Sequence, residues 1–316
     1  MENDLKSSSS GQSVPAGRKI NEAYLQFKRL ISERNPLKKR EFSHLAADLQ
    51  EYQDVLERFS DKPLDKSQTV EIGCGQRPYR LFYLIANGVS VNAIEKDFVA
   101  FNMNLKSIRQ SFSINGMERT LKTIIRYFLF DLAENNQFLR ELRNVSGRQF
   151  DWPLDKITHG DATDVENWPT QDIDFIYSED VFEHIPQAVL PQLCEIMAKK
   201  LSKNGIALIR PVTYAGLMGG HNIDYYDLDK NKNRTCPPWD HLRDNNFPSN
   251  TYLNKMTRSD YRDLFSKYFD ILDETVRDPE GGRSFMTSEI RAELTTWSDE
   301  ELYCNHIRFI LRAKTE

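Results

Sequence analysis

The run Thr69-Val70-Glu71-Ile72-Gly73-Cys74-Gly75-Gln76-Arg77-Pro78 constrains this chain more than any other stretch. It reads as a short apolar strand ending in a Gly-x-Gly turn. Glycine suits such a turn because it accepts positive φ and lacks a Cβ, so the backbone can approach a ligand closely. A second acid, Glu95, closes the next strand-like run, Val89-Ser90-Val91-Asn92-Ala93-Ile94-Glu95. An acid about twenty residues beyond a glycine turn stands where it can hydrogen-bond a ribose diol at the end of the neighbouring strand. Together these features describe a nucleoside-binding crevice.

Pro78 bears on which nucleoside. A dinucleotide fold takes a third glycine at this place, which lets the following helix pack closely and aim its N-terminus at a pyrophosphate. Here the third position is Pro78, preceded by the bulky Gln76 and Arg77, so an NAD-dependent oxidoreductase is disfavoured. Glu71 also lies where the ammonium of a methionine-like group can be balanced. The run resembles the E/D-x-G-x-G motif of class I S-adenosylmethionine (SAM)-dependent methyltransferases. That resemblance implies SAM as cofactor, with Glu71, Gly73, Gly75 and Glu95 around it. An accidental glycine loop is the alternative.

Charge narrows the partners. Lys and Arg number 42 against 47 Asp and Glu, a net charge of −5, which supplies no broad basic field for nucleic acid. A small molecule or glycan is the expected substrate class. The four cysteines are far apart and form no C-x-x-C pair, as in a chain of free thiols. No apolar run reaches membrane-spanning length, and the start lacks the apolar core of a signal peptide. A cytoplasmic protein is expected.

The rest of the chain, at 316 residues, reads as one large α/β domain with additions. Residues 1–18 are polar and serine-rich and are expected to be disordered. Residues 19–66 carry two amphipathic helices, one with Ile20, Ala23, Tyr24, Phe27, Leu30 and Ile31 on one face, the other with Leu45, Leu49, Tyr52, Leu56 and Phe59. They either pack on the sheet or serve as a lid or an arm for homo-oligomers. Residues 67–316 form the methyltransferase-like domain. A segment of about 98–152 is too long for one crossover and holds a helix with Leu121, Ile124, Ile125, Phe128, Leu129 and Leu132 on one face. Such a stripe is either core or a cap over substrate.

Further strands follow. Lys156 to Ala162 resembles the next methyltransferase station, a strand ending in Gly-Asp-Ala, which places Asp161 and Ala162 beside the adenine. Alternatively Asp161 caps a turn. A fourth strand runs through Tyr177 into Ser178, the last residue of the expected cofactor set. A helix with Leu190, Leu193, Met197 and Leu201 then stops at Asn204-Gly205, and Ile206 opens the fifth strand. After a loop-rich stretch over 212–255, Thr257 and Asp260 cap a helix, and two strands near residues 271–276 and 306–311 finish the sheet. The fold expected is a doubly wound, seven-stranded Rossmann-like α/β sheet with N-terminal helices and a helical insertion after the second strand.

SAM brings its own leaving group, so the protein must align the acceptor and, for a hydroxyl, remove a proton. His184 is the natural base, since imidazole titrates near neutrality. Asp180, Glu183 and His184 have the spacing i, i+3, i+4, which a helical turn places on one side. This D-x-x-E-H resembles the E-x-x-E-H of ubiquinone-pathway O-methyltransferases and of small-RNA 2′-O-methyltransferases. The resemblance implies Asp180, Glu183 and His184 as ligands of Mg²⁺ or Mn²⁺, with His221 as a further ligand or base. Asp180 departs from it, being one methylene shorter than the glutamate. A metal-free base and a structural role stay open. The leading expectation is O-methylation of a polar small molecule or glycan, against a quinone or phenol O-methyltransferase or a non-catalytic SAM-binding scaffold.

Overall fold

The computed structural model describes residues 42–314 except 100, 102, 170, 227–233, 235, 244–248 and 250. The expected disordered start and the helix expected around Ile20 to Ile31 lie outside the described residues. The second N-terminal helix is α1, Ser43–Phe59.

Seven strands form one sheet: β1 Gln68–Ile72, β2 Ser90–Glu95, β3 Ile157–His159, β4 Ile173–Glu179, β5 Leu201–Arg210, β6 Phe269–Val276 and β7 Ile307–Ala313, in the order 3-2-1-4-5-7-6. The pairs β1–β2, β1–β4, β2–β3 and β4–β5 are parallel, and β7 runs antiparallel to both β5 and β6. Glu71 lies level with Ala93 and Tyr177 across these pairings, so β1, β2 and β4 end together and bring their polar terminal residues to one rim.

Successive side chains alternate between the two faces. Phe175 and Tyr177 enter one core with Leu45, Tyr52 and Leu56 of α1, Leu81 and Phe82 of α2 (Tyr79–Ala86), and Phe138 and Leu142 of a later helix. Ile176 enters the opposite core with Leu193 and Met197 of the helix Leu190–Lys200 and Tyr261 and Phe265 of the helix Arg258–Tyr268. The latter helix begins with the expected capping box of Thr257 and Asp260. Both faces are covered, which is why β4 reads as a nearly continuous apolar run. α1 belongs to the first core.

Asn204-Gly205 does not stop a helix. The helix ends at Lys200 because Leu201 is already extended, and β5 starts there. Gly205 sits at an irregular register with β4, where a Cβ would lie 2.5 Å from the Ile173 carbonyl oxygen. The described parts of 212–255 are likewise not a bare loop. Leu217, Tyr225 and Trp239 form a third small core with Ile290, Leu294, Leu302 and Tyr303.

The insertion after β2 comprises α3 Leu105–Asn115, α4 Met117–Arg126, a wider π-helical turn Tyr127–Asp131 and α5 Leu132–Ser146. α5 supplies Phe138 and Leu142 to the core. The stripe containing Leu121, Ile125, Phe128, Leu129 and Leu132 is exposed instead of buried.

Candidate active site

The glycine turn is built as its sequence requires. Gly73 and Gly75 have φ of 79° and 68°. The Gly73 N–H donates to the Ile94 carbonyl at 2.9 Å, tying the turn to β2. The Gly75 N–H donates to Glu95 Oε2 at 2.7 Å, and the Asp97 N–H to Glu95 Oε1 at 3.1 Å. Burial raises the Glu95 carboxyl, and these backbone donors act against that rise. A Cβ on Gly75 would meet nothing within 4 Å, so space lies open directly over the turn. A Cβ on Gly73 would lie 2.5 Å from Val181 Cγ2. The turn is therefore overlaid by the segment that follows β4.

Glu71 is buried, accepts the Tyr177 hydroxyl at 3.0 Å and faces Arg80 Nη1 at 3.9 Å. Burial pushes its carboxyl up to about 7 against the pull of Arg80. Beside it lies a cavity of about 260 Å³ lined by both signs of charge: Glu71 and Glu134 against Arg77 and Arg80, with His44, Tyr79 and Cys74 between them. Arg77 pairs with Glu134 at 3.4 Å. Arg77 and Arg80 went unnoticed in the sequence as site residues. Their signal was position, since both stand at the start of the helix that leaves the glycine turn. Glu134 carried no such signal because it arrives from the distant insertion.

The remaining expected cofactor residues are near the same rim and already bonded within the chain. Asp161 accepts from the Thr163 N–H and hydroxyl at 3.0 and 2.8 Å and pairs with Lys96 at 2.8 Å, which together hold its carboxyl below the usual range despite partial burial. Its turn-capping geometry is present. The Ala162 carbonyl accepts the Trp168 indole N–H at 2.9 Å, and the Ser178 hydroxyl donates to the Ile72 carbonyl at 2.9 Å, joining β4 to β1.

Beyond β4 the chain departs from the helical turn expected for residues 180–184. Asp180 has φ 55°, and only Phe182–His184 form a short 3-10 turn. The Asp180 carboxylate faces His306 Nε2 at 3.5 Å. The cluster that does assemble is Glu183, His184 and His221, whose donor atoms lie within 4.8 Å of one another. Of the expected ligands it unites Glu183 and His184 with His221, the further one, and leaves Asp180 out. Each imidazole Nε2 stands 3.9 Å from Glu183 Oε1. His184 Nδ1 lies 3.0 Å from the Tyr252 carbonyl. A carbonyl only accepts, so Nδ1 carries the proton and Nε2 is left as an acceptor.

Among the described residues, neither carboxylate oxygen of Glu183 nor His221 Nε2 has a hydrogen-bond partner, and Glu183 is only 3% exposed. The backbone N–H groups of Glu183 and Val212 act to lower the carboxyl. Burial, with Asp180 nearby, pushes the Glu183 carboxyl up to about 8. Burial and the neighbouring histidines hold His221 down at about 4. Asn254 keeps the turn in place, its amide donating to the Phe182 and Ile185 carbonyls at 2.7 and 3.0 Å while its N–H meets the Glu183 carbonyl at 2.8 Å. His241 is committed elsewhere, with Nε2 2.8 Å from the Tyr214 carbonyl.

The reversed seventh strand, the glycine turn on β1 and the acid ending β2 define a class I, Rossmann-like, SAM-dependent methyltransferase. The chain belongs to the family described as a methyltransferase domain, whose model matches residues 42–268. No curated protein sequence matches it. Among solved structures it is similar to a SAM-dependent methyltransferase from Archaeoglobus fulgidus, at 12% identity over 92% of this chain and 99% of the other, with a TM-score of 0.42. It is also similar to geranyl diphosphate C-methyltransferase from Streptomyces coelicolor, at 11% identity over 85% and 79% of the two chains, with a TM-score of 0.43. A TehB-like SAM-dependent methyltransferase from Corynebacterium glutamicum matches at 9% identity over 94% and 100%, with a TM-score of 0.39.

Proposed function

We propose that this methyltransferase transfers the SAM methyl group to a hydroxyl of a polar small molecule or glycan, using Glu183, His184 and His221 on the acceptor side. The observation that carries the reading is the buried Glu183 carboxyl, unpartnered among the described residues and flanked by two imidazole nitrogens. It stands two residues beyond Val181, which overlies Gly73 of the cofactor turn. A buried acid without a hydrogen-bond partner among the described residues, beside the glycine turn, suits a polar ligand.

In this reading Glu95 takes the ribose diol, and the open space above Gly75 lets the nucleoside approach the backbone. Glu71 and Glu134 would hold the ammonium of the methionine end, and Arg77 and Arg80 its carboxylate, at the cavity these four side chains line. Asp161 and Ala162 border the adenine. When bound, SAM would supply the methyl group to the acceptor oxygen, the electron pair of the broken C–S bond staying on sulfur. The hydroxyl proton passes to His184 Nε2, because Glu183, pushed up to about 8, keeps its own proton at neutral pH.

A second reading, favoured by the three-donor cluster, gives the same residues a divalent metal. One carboxylate and two imidazoles with converging donor atoms fit such an ion, and unpartnered oxygens on a buried acid are what a cation would satisfy. Glu183, His184 and His221 would hold it, and Asp180 would stand outside. When bound, the ion would lower the pKa of a coordinated hydroxyl.

The test is to incubate the purified protein with methyl-labelled SAM and fractionated glycan and metabolite extracts. Label in an alkali-stable methyl ether supports the proposal. Label found only on carbon or nitrogen would overturn the hydroxyl assignment while leaving the enzyme a methyltransferase.

A further inference from the structure

The helices α3 and α4 are folded inside out. Their inward faces are small and polar: Ser111, Thr120 and Thr123 are buried, and the Ser111 and Thr120 hydroxyls bond each other at 2.9 Å. Large apolar side chains point outward, among them Phe112, Met117, Leu121, Ile125, Phe128 and Leu129, with Met117 70% and Phe128 65% exposed. A helical hairpin stabilised only by water would turn this stripe to the core. A contiguous exposed apolar face of this kind marks an interaction surface.

The charge around the face selects the occupant. Between residues 103 and 132 the cations are Lys106, Arg109, Arg119, Lys122 and Arg126 and the acids are Glu118 and Asp131, a local excess of positive charge in a chain whose net charge is −5. Three of these cations pair with nearby acids: Arg119 with Asp97 at 2.7 Å, Lys122 with Glu118 at 2.6 Å and Arg126 with Asp131 at 2.8 Å. The excess remains after those pairs. A second copy of the same face would oppose like charges. The chain's own residues 18–40 are also predominantly basic, with eight cations against Glu22 and Glu33. An apolar helical face bordered by Lys and Arg is instead the pattern that lies in the interface of a negatively charged bilayer.

We propose that α3, α4 and the turn after them form a peripheral docking surface that seats this methyltransferase on an anionic lipid bilayer. The hairpin is fastened beside the cofactor crevice. The Phe98 N–H and carbonyl bond the Asn115 side chain at 2.7 and 2.9 Å, and Asp97, whose N–H holds Glu95, takes Arg119. Docking through this face holds the rim that carries Glu95 close to the membrane surface.

The experiment is flotation of the full chain with vesicles of phosphatidylcholine alone or mixed with phosphatidylglycerol. The expected result is binding to the mixed vesicles that weakens at high salt. Joint replacement Leu121→Ser, Ile125→Ser and Phe128→Ser should weaken it roughly tenfold or more, since three apolar side chains lose their burial in lipid. Affinity for S-adenosylhomocysteine should be unchanged in that variant, which shows that the fold is intact. Should the triple variant misfold, Lys106→Glu with Arg109→Glu should give the same loss on mixed vesicles. Wild-type protein that binds neither vesicle overturns the proposal. So does a dimer, seen by sedimentation and abolished by the triple replacement, in a protein that ignores lipid.

Discussion

Glu183 is a buried acid at the candidate site. Its ordinary pKa of 4.5 is pushed up to about 8 by burial, so between those values the folded protein holds a proton that the unfolded chain gives up. Stability from this group is therefore full below 4.5, falls as pH rises and is fully lost above about 8. Glu183→Gln removes the dependence. Its unfolding free energy should match wild type in acid and exceed it above pH 8, by on the order of 3–5 kcal/mol, measured by urea titration across pH. Saturating Mg²⁺ or Mn²⁺ should close that gap only if the cluster binds the ion, because a carboxamide is a poor ligand for a hard cation.

Glu95 gives a second test at the same scale. Glu95→Gln makes a charge-assisted interaction with the ribose neutral and should weaken SAM binding by on the order of 1.5–3 kcal/mol, about ten- to a hundredfold by calorimetry. Unchanged affinity would mean another group holds the ribose. Asp161→Ala should cost less, because Asp161 is already bonded to Thr163 and Lys96.

Among the elements, α1 is held to the sheet by charge as well as by its apolar stripe. Arg210 on β5 donates to Glu179 at 2.8 and 3.0 Å and to Glu51 of α1 at 2.6 Å, with its own side chain almost wholly buried. Tyr52 of α1 donates to the same Glu179 at 2.8 Å, and Arg308 of β7 reaches Glu51 at 2.8 Å. Burial raises the Glu179 carboxyl while Arg80 and Arg210 draw it back. Removing the shared cation leaves the buried Glu179 with only the Tyr52 hydroxyl and the more distant Arg80, at 3.8 Å, and Glu51 with Arg308. Arg210→Met should therefore destabilise the fold by about 3–5 kcal/mol, read as a lower urea midpoint with an unchanged slope. Loss of near zero would show that the two acids take up protons or water at little cost.

For the whole molecule, turnover is the test of the acceptor-side residues. His184→Ala should leave SAM affinity nearly intact and lower kcat by roughly a hundredfold or more, the usual scale for losing general-base help. In the metal reading a chelator should abolish activity, Mg²⁺ or Mn²⁺ should restore it, and Glu183→Gln should behave as His184→Ala does. Without a metal the chelator is inert. Full turnover in folded His184→Ala protein would take this imidazole out of the mechanism.

The sequence by itself determined the sheet and the glycine turn. Both depend on local rules: alternating or continuous apolar runs make strands, and positive φ at Gly73 and Gly75 needs glycine wherever the chain goes next. The place of Glu95 at the end of β2, facing the turn, was legible for the same reason, because its distance from the turn is a property of one strand–helix–strand unit. Spacing failed at Asp180, since a 3.6-residue repeat predicts neighbours only inside a helix, and φ of 55° breaks that premise. Asn204-Gly205 misled because the stop signal of a helix and a close backbone approach in a strand call for the same small residue. Only the tertiary structure brought His221 and Glu134 to their clusters, from a distant loop and an insertion that no local periodicity relates to β4 or β1. It alone decided that the apolar stripe of α4 faces outward. Periodicity shows that a helix has an apolar side, and packing settles which way that side turns.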